Sequence, residues 1–300
     1  MIARILIPVV VFTLLPYLWI YKRYGKLWLK SLWQRVLFWL PAFVVIAYSA
    51  YITMLPNFLP RNPVLIDIWF VMMAVCAVPQ FVFSLFSVFG WCCMRLLHGH
   101  RNWGKLLGLV VGAVAFFCFI YGFTEGFPKM QVKRITIYVP NLPKSFEGYR
   151  IVQFSDIHLG SYYGWRGHLP QRDIDSINAE KPDLICFTGD LQNVTPDELP
   201  EYQALLSSLK ARDGVMSVLG NHDYTYYMDV DDEQEIAALE KRMQDFQRSC
   251  GWRLLMNEHV VLNHGDPKRE TSTAMLVVAG VSDYSAHHFD ETHRSDAKAA

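Results

Sequence analysis

The sequence predicts an α-helical bundle of four membrane spans followed by a layered α/β domain. Three observations predict it. Up to about Phe123 the chain is dominated by Leu, Val, Phe, Ile, Trp and Tyr, and Asp67 is the one acidic residue there. That half contains four apolar stretches close to the roughly 20 residues a helix needs to cross a bilayer core. After Phe123 the pattern changes to short β-rich runs alternating with polar helical ones, the signature of a layered α/β domain. The division expected from this change is residues 1–125 and residues 126–300.

The four stretches run from Ile2 to Tyr21, Leu37 to Leu55, Val64 to Met94 and Leu106 to Phe123. Pro8, Pro16, Pro41 and Pro79 lie within or at the edges of them. Proline weakens a helix in water but is tolerated in lipid-embedded helices, so kinks are expected. The first stretch carries Arg4 near its start like a secretory leader, yet it lacks an A-x-A-like cleavage site and three further spans follow, so it reads as a retained anchor. The third is longer than a span requires. Tilt, a kink at Pro79 or an interfacial end containing Asp67 absorbs the excess.

Loop charge sets the expected orientation. Lys22, Arg23, Lys26, Lys30 and Arg35 separate spans one and two, and Arg95, Arg101 and Lys105 separate three and four, whereas the loop between two and three carries Arg61 alone. The positive-inside rule places both basic loops in the cytoplasm. The soluble half then lies outside it, and the chain reads as a multi-pass protein of the plasma (inner) membrane with its soluble domain extracytoplasmic.

Composition excludes some classes. The 28 Lys and Arg balance the 28 Asp and Glu and form no basic tract, so nucleic acid is not an expected partner. The six cysteines show no CxxC spacing, which argues for free thiols over a disulfide framework or thiolate site. The spans hold almost no ionisable residue, which speaks against an ion path.

In the soluble half strands are expected over Arg134–Val139, Tyr149–Phe154, Asp183–Thr188, Gly214–Leu219 and Ala274–Ala279. Helices are expected over Gln171–Ala179, Asp197–Lys210 and Asp231–Arg248. The chemistry sits where strands end. Ser155-Asp156-Ile157-His158, Gly189-Asp190-Leu191-Gln192-Asn193 and Gly220-Asn221-His222-Asp223 each follow a predicted strand directly. Ligands collect at the carboxyl ends of strands in α/β sheets. Carboxylates can bridge two cations, imidazole supplies a borderline nitrogen, and an Asn carbonyl binds without adding charge, so this set suits a pair of divalent metals. Any one motif alone reads as a turn or a helix cap. Three in succession point into one crevice.

These motifs, Asp156-x-His158, Gly189-Asp190-x-x-Asn193 and Gly220-Asn221-His222-Asp223, resemble the first three motifs of the calcineurin-like metallophosphoesterases, from about Val132 onward. The S-D-I-H-L-G form of residues 155–160 is similar to a membrane-associated branch of that family. The resemblance implies a metallophosphoesterase-type sandwich and two divalent ions, Mn, Fe or Zn. It implies that Asp156 and His158 bind the first metal, Asp190 bridges both and Asn221 binds the second. His222 would face the substrate and protonate the leaving oxygen, with Asp223 orienting its ring and Asn193 supporting the ligands from behind. A water acidified by both cations would attack the phosphorus.

The family's later lone His and Gly-His-x-His motifs have no counterpart here. His287 and His288 fall in a polar stretch, and the chain is expected to end before its domain is finished, in a helix starting near Ser295. Weak metal retention is the expectation for such open shells. The expected substrate is a phosphate ester or pyrophosphate. Tyr162, Tyr163 and Trp165, just after the first motif, raise the prospect of a lipid-linked one at the bilayer surface. The competing reading is a catalytically degenerate membrane-bound module that binds metal or phosphate.

Overall fold

In the apolar half the helices run past the hydrophobic stretches that announce them. The computed structural model describes residues 3–55, 63–228, 230–264 and 274–283. Four helical runs, Leu6–Trp28, Leu32–Thr53, Val64–Leu96 and Gly104–Gly126, are long and apolar enough to cross a membrane. The first continues to Trp28, because its last turns carry Lys22, Arg23 and Lys26, and cations are favoured at a helix C-terminus. The second starts at Leu32 and not at Leu37. A capping box supplies the reason: Ser31 Oγ accepts from Gln34 N while Gln34 Oε1 accepts from Ser31 N. In the third, a π turn over Met73–Ala77 precedes Pro79 and absorbs the expected irregularity.

Lipid gives apolar side chains no reason to leave it, so these helices hold together by close backbone approach and by polar bonds. Gly104, Gly108 and Gly112 of the fourth span lie against the carbonyls of Phe86, Phe83 and Pro79 of the third. A Cβ at Gly108 would sit 2.8 Å from the Phe83 oxygen, closer than carbon and oxygen approach. Ser87 accepts from Trp19 Nε1 at 3.1 Å and pairs with the Tyr24 hydroxyl at 2.7 Å, tying the first span to the third. Trp69 Nε1 donates to Ser49 Oγ at 2.9 Å, tying the second to the third.

Contacts divide the chain into two compact units, Met1–Lys129 and Met130–Ala300. The second is built on a four-stranded parallel sheet in the order β1 (Ile151–Phe154), β2 (Leu184–Phe187), β3 (Val215–Ser217), β4 (Arg253–Leu254). Ile151 pairs with Leu184 and Ile185 with Val215, so the three strands end level. A central parallel strand is covered on both faces and reads as a continuous apolar run. β2 is such a run, with Leu184, Ile185 and Phe187 buried. The helices Leu169–Ala179 and Glu233–Ser249 connect successive strands, the second capped by Asp232 accepting from Gln234 N. Ile174 and Met243 plug them into the core beside Phe187, Leu191 and Trp252. An antiparallel hairpin, β5 (Glu258–Asn263) and β6 (Met275–Gly280), forms a second sheet.

The hairpin is latched to the parallel sheet's neighbourhood by a buried imidazole. His264 Nε2 donates to Asp213 at 3.0 Å, and Asp213 also accepts from the Tyr149 hydroxyl. Burial alone would raise the Asp213 carboxyl, but the bonds from Tyr149 and His264 outweigh it and hold it below the usual range.

Two expected elements are not formed. Arg134–Val139 makes no ladder among the described residues, and Ile135, Ile137 and Tyr138 are strongly exposed. Its alternation suits a strand, but a strand needs a partner, which local pattern does not supply. Asp197–Lys210 is broken into turns at Pro196–Glu198 and Pro200–Tyr202 with only Gln203–Leu206 α-helical. Pro200 lacks an amide donor, so although Leu199 keeps right-handed helical angles (φ −93°, ψ −31°), the run is interrupted and tightens into 3₁₀ turns. β4 and β5 went unpredicted. Arg61, His287, His288, His293 and the helix expected from Ser295 lie outside the described residues.

The glycine contact yields a first prediction. Gly108→Leu should lower the thermal unfolding temperature of the detergent-solubilised chain, through overpacking worth about 1–3 kcal/mol. Gly99→Leu, in an open connection, should leave it unchanged.

Candidate metal centre

The parallel ladder continues beyond the strands as a set of loop-to-loop hydrogen bonds. Thr188 N donates to Phe154 O at 3.0 Å, Asp156 N to Gly189 O at 2.9 Å and His158 N to Asp190 O at 3.1 Å. Gly189 is the hinge that permits this. It has φ +99°, and a Cβ there would collide with the backbone of Gly220. The loops after β2 and β3 therefore touch backbone to backbone.

Beneath them lies Asp223, only 1% exposed. Its carboxylate accepts from Asp190 N and Leu191 N at 2.8 Å, Gln192 N at 3.3 Å and Gly220 N at 3.0 Å. Burial pushes this carboxyl up to about 7, against the four amide donors that favour its ionised form. The expected contact with the His222 ring is thus replaced. Asp223's oxygens are committed to backbone amides, and His222 Nδ1 donates instead to the Asn193 carbonyl at 2.7 Å.

His158 is held in the same way, its Nδ1 facing the Gln192 carbonyl at 3.1 Å. Each carbonyl fixes the proton on Nδ1 and leaves the Nε2 lone pair free, the arrangement found at metal-bound histidines. Asp190 Oδ1 accepts from His222 N at 2.9 Å, which fixes the carboxylate beside the two rings. The ligand atoms of His158, Asp190 and His222 lie within 4.8 Å of one another, close enough to share a metal ion. The donor set fits a divalent cation: two neutral imidazoles and a carboxylate.

The backbone carries the cost of this geometry. Asp156, His158 and Asp190 sit in the left-handed region with φ of 54°, 44° and 64°. Residues with a side chain enter it at a cost of about 1–3 kcal/mol and cluster there at functional sites.

Asp156 and Asn221 stand outside the trio. Asp156 is exposed and its Oδ2 accepts from the Ser155 hydroxyl. Asn221 Nδ2 donates to the Tyr227 hydroxyl at 2.7 Å. Asn193 works from behind the ligands through its carbonyl and its side chain. Oriented by its neighbours, its amide donates to His158 O at 3.2 Å and accepts from Ser161 Oγ at 3.0 Å. Of the aromatic residues, Tyr162 packs against the core, while Trp165 is half exposed with the Arg166 guanidinium 5.2 Å from its ring.

Some supporting residues escaped the sequence reading. Glu198 accepts from Asn193 N, Val194 N and Thr195 N, which holds the carbonyl that orients His222. Its signal was legible as the capping box Thr195-x-x-Glu198. Tyr227, stacked on His222 at 4.1 Å, carries no comparable local signal.

Four helices able to span a membrane and an α/β unit whose strand ends gather a His/Asp cluster able to hold a metal ion define the class: a membrane protein with a candidate metal centre. The family follows from comparison. Residues 3–127 match the model of the transmembrane domain of probable calcineurin-like phosphoesterases, and residues 149–293 match the calcineurin-like phosphoesterase model. The chain belongs to the calcineurin-like metallophosphoesterases that carry an N-terminal four-helix transmembrane domain.

Relatives include a transmembrane protein with metallophosphoesterase domain of Danio rerio, 28% identical over 73% of this chain and 48% of that protein. The uncharacterized metallophosphoesterase YkuE of Bacillus subtilis is 42% identical over 31% of this chain and 32% of its own length. The UDP-2,3-diacylglucosamine pyrophosphatase LpxG of Chlamydia trachomatis is 38% identical over 33% of this chain and 30% of its own. The chain thus spans about half or less of the length of these relatives. No solved structure matches it significantly.

The carboxylate beneath the loops gives a second prediction. Asp223→Ala should strand buried amide donors at about 1–3 kcal/mol each, lowering the unfolding temperature and deprotecting the amides of residues 190–192 in hydrogen exchange. Unchanged protection at those amides would reject the role.

Proposed function

We propose that the chain is a membrane-anchored hydrolase of phosphate esters or pyrophosphate bonds that works with two divalent cations, Mn, Fe or Zn. Residues 1–125 serve as the anchor and residues 126–300 carry the reaction. The observation behind this reading is the His158, Asp190 and His222 cluster at three level strand ends, with both Nδ1 atoms committed to carbonyls.

Asp156 and His158 would hold the first cation and Asn221 the second, with Asp190 shared between them. When bound, such a pair supplies Lewis acidity toward phosphoryl oxygens and lowers the pKa of water. The chain's own residues do the rest. The His222 amide fixes the orientation of the Asp190 carboxylate. His222 is set to face the departing oxygen through Nε2, and the Asn193 carbonyl at Nδ1 holds the ring in that orientation.

A lipid-linked phosphate or pyrophosphate is the proposed substrate class. The four spans keep the hydrolytic part of the chain at a bilayer, and a relative is named as a pyrophosphatase of UDP-2,3-diacylglucosamine. The proposed orientation puts that part outside the cytoplasm of a plasma membrane, on the strength of Lys22, Arg23 and Lys26 at the end of the first span.

Activity tests the reading. The full chain in detergent should hydrolyse an aryl phosphodiester only with added Mn²⁺, lose activity to a chelator, and fall by about 100-fold or more in Asp190→Ala. Activity persisting in that variant would sink the proposal. Faster turnover of a soluble phosphodiester than of a lipid pyrophosphate would remove the lipid-linked part alone.

A further inference from the structure

The segment just after the third motif folds back over it. Tyr227, partly exposed, lies with its ring 4.1 Å from that of His222 at an interplanar angle of 17°. Its hydroxyl accepts from Asn221 Nδ2 at 2.7 Å. One side chain therefore touches both neighbouring residues that the proposed reaction uses for different purposes.

Each contact has a chemical consequence. A side-chain amide offers lone pairs at its oxygen and donors at its nitrogen, and only the oxygen end can hold a cation. With Nδ2 spent on Tyr227, the amide cannot swing its nitrogen into the site, and Oδ1 is the end left to present. The imidazole of His222 is confined on three sides: the Asn193 carbonyl at Nδ1, the Tyr227 ring on one face, and the His158 ring edge-on at 4.6 Å and 81°.

We propose that Tyr227 is a positioning residue that fixes the Asn221 oxygen for the cation through its hydroxyl and backs the His222 imidazole through its ring. The inference rests on the phosphoesterase reading and adds to it a residue outside the three motifs. It separates two functions in one side chain, and two substitutions separate them in turn. Tyr227→Phe removes the hydroxyl and keeps the ring. Tyr227→Leu removes both.

The test uses the full chain in detergent. Mn²⁺ affinity is measured by electron paramagnetic resonance of the free ion, and turnover is measured on an aryl and an alkyl phosphodiester with the same second substituent. Tyr227→Phe should bind Mn²⁺ about 10-fold or more weakly, in the range lost when a ligand's hydrogen-bond partner is removed, and keep its turnover once metal is saturating. Tyr227→Leu should in addition lose about 100-fold on the alkyl ester, whose poor leaving group needs the proton, and much less on the aryl ester. Wild-type Mn²⁺ affinity in Tyr227→Phe would overturn the assignment to Asn221. Equal losses on both esters in Tyr227→Leu would overturn the assignment to His222, since a merely structural lesion does not distinguish leaving groups. Should the Leu variant fail to fold, Tyr227→Trp, which keeps a flat ring without the hydroxyl, should retain the wild-type leaving-group dependence. A steeper dependence in Trp would overturn the stacking role. A wild-type chain that bound no Mn²⁺ and hydrolysed neither ester would overturn the phosphoesterase reading itself, and this inference with it.

Discussion

Four backbone N–H groups converge on the carboxylate of Asp223, and the geometry of the metal centre hangs on that convergence. Three of them belong to the loop after β2 and one to the loop after β3. Without an acceptor, Asp190, Leu191 and Gln192 would have donors buried away from water. With it, Asp190 is held in a left-handed conformation that sets its side chain beside the two imidazoles. The carbonyls of Gln192 and Asn193 then fall where His158 and His222 need them. Ligand orientation here is a backbone property, set by one buried carboxyl group beneath the loops.

This arrangement resolves what would otherwise be a conflict. Left-handed φ values at Asp156, His158 and Asp190 strain the chain at the place where the side chains must be most exact. The compensation is local: parallel strands that end level, glycines at 189 and 220 that let the loops meet, and the Asp223 and Glu198 carboxylates that collect the freed amides. The membrane unit follows a different rule. There the glycine row at 104, 108 and 112 and the bonds to Ser87 and Ser49 supply the specificity that hydrophobicity cannot supply in lipid.

Much of this was legible in the sequence, and the exceptions share a cause. The spans were visible because length and hydropathy are local, and so were β2, whose apolar run marks burial on both faces, and the three strand-end motifs. The Ser31 and Thr195 capping boxes were equally local, and heeding them would have corrected the start of the second span and identified Glu198. Arg134–Val139 failed because alternation does not reveal whether a partner strand exists. Residues 197–210 failed because Pro200 was outweighed by an apolar periodicity. The contacts of Asp223 are not legible in the sequence because its partners are backbone amides, three of them from another loop, which no side-chain pattern encodes. Tyr227 escaped for the same reason: stacking is visible only once the loop has turned back.

The central claim is that three strand-end loops assemble one metal centre in which the imidazole of His158 is a ligand. Pulsed electron paramagnetic resonance of the Mn²⁺-loaded chain addresses it most directly, since a directly bound imidazole imprints a ¹⁴N coupling on the spectrum. The account predicts such a coupling in the wild-type chain and its loss in His158→Ala. A spectrum of fully hydrated Mn²⁺, unchanged by that substitution, would contradict it.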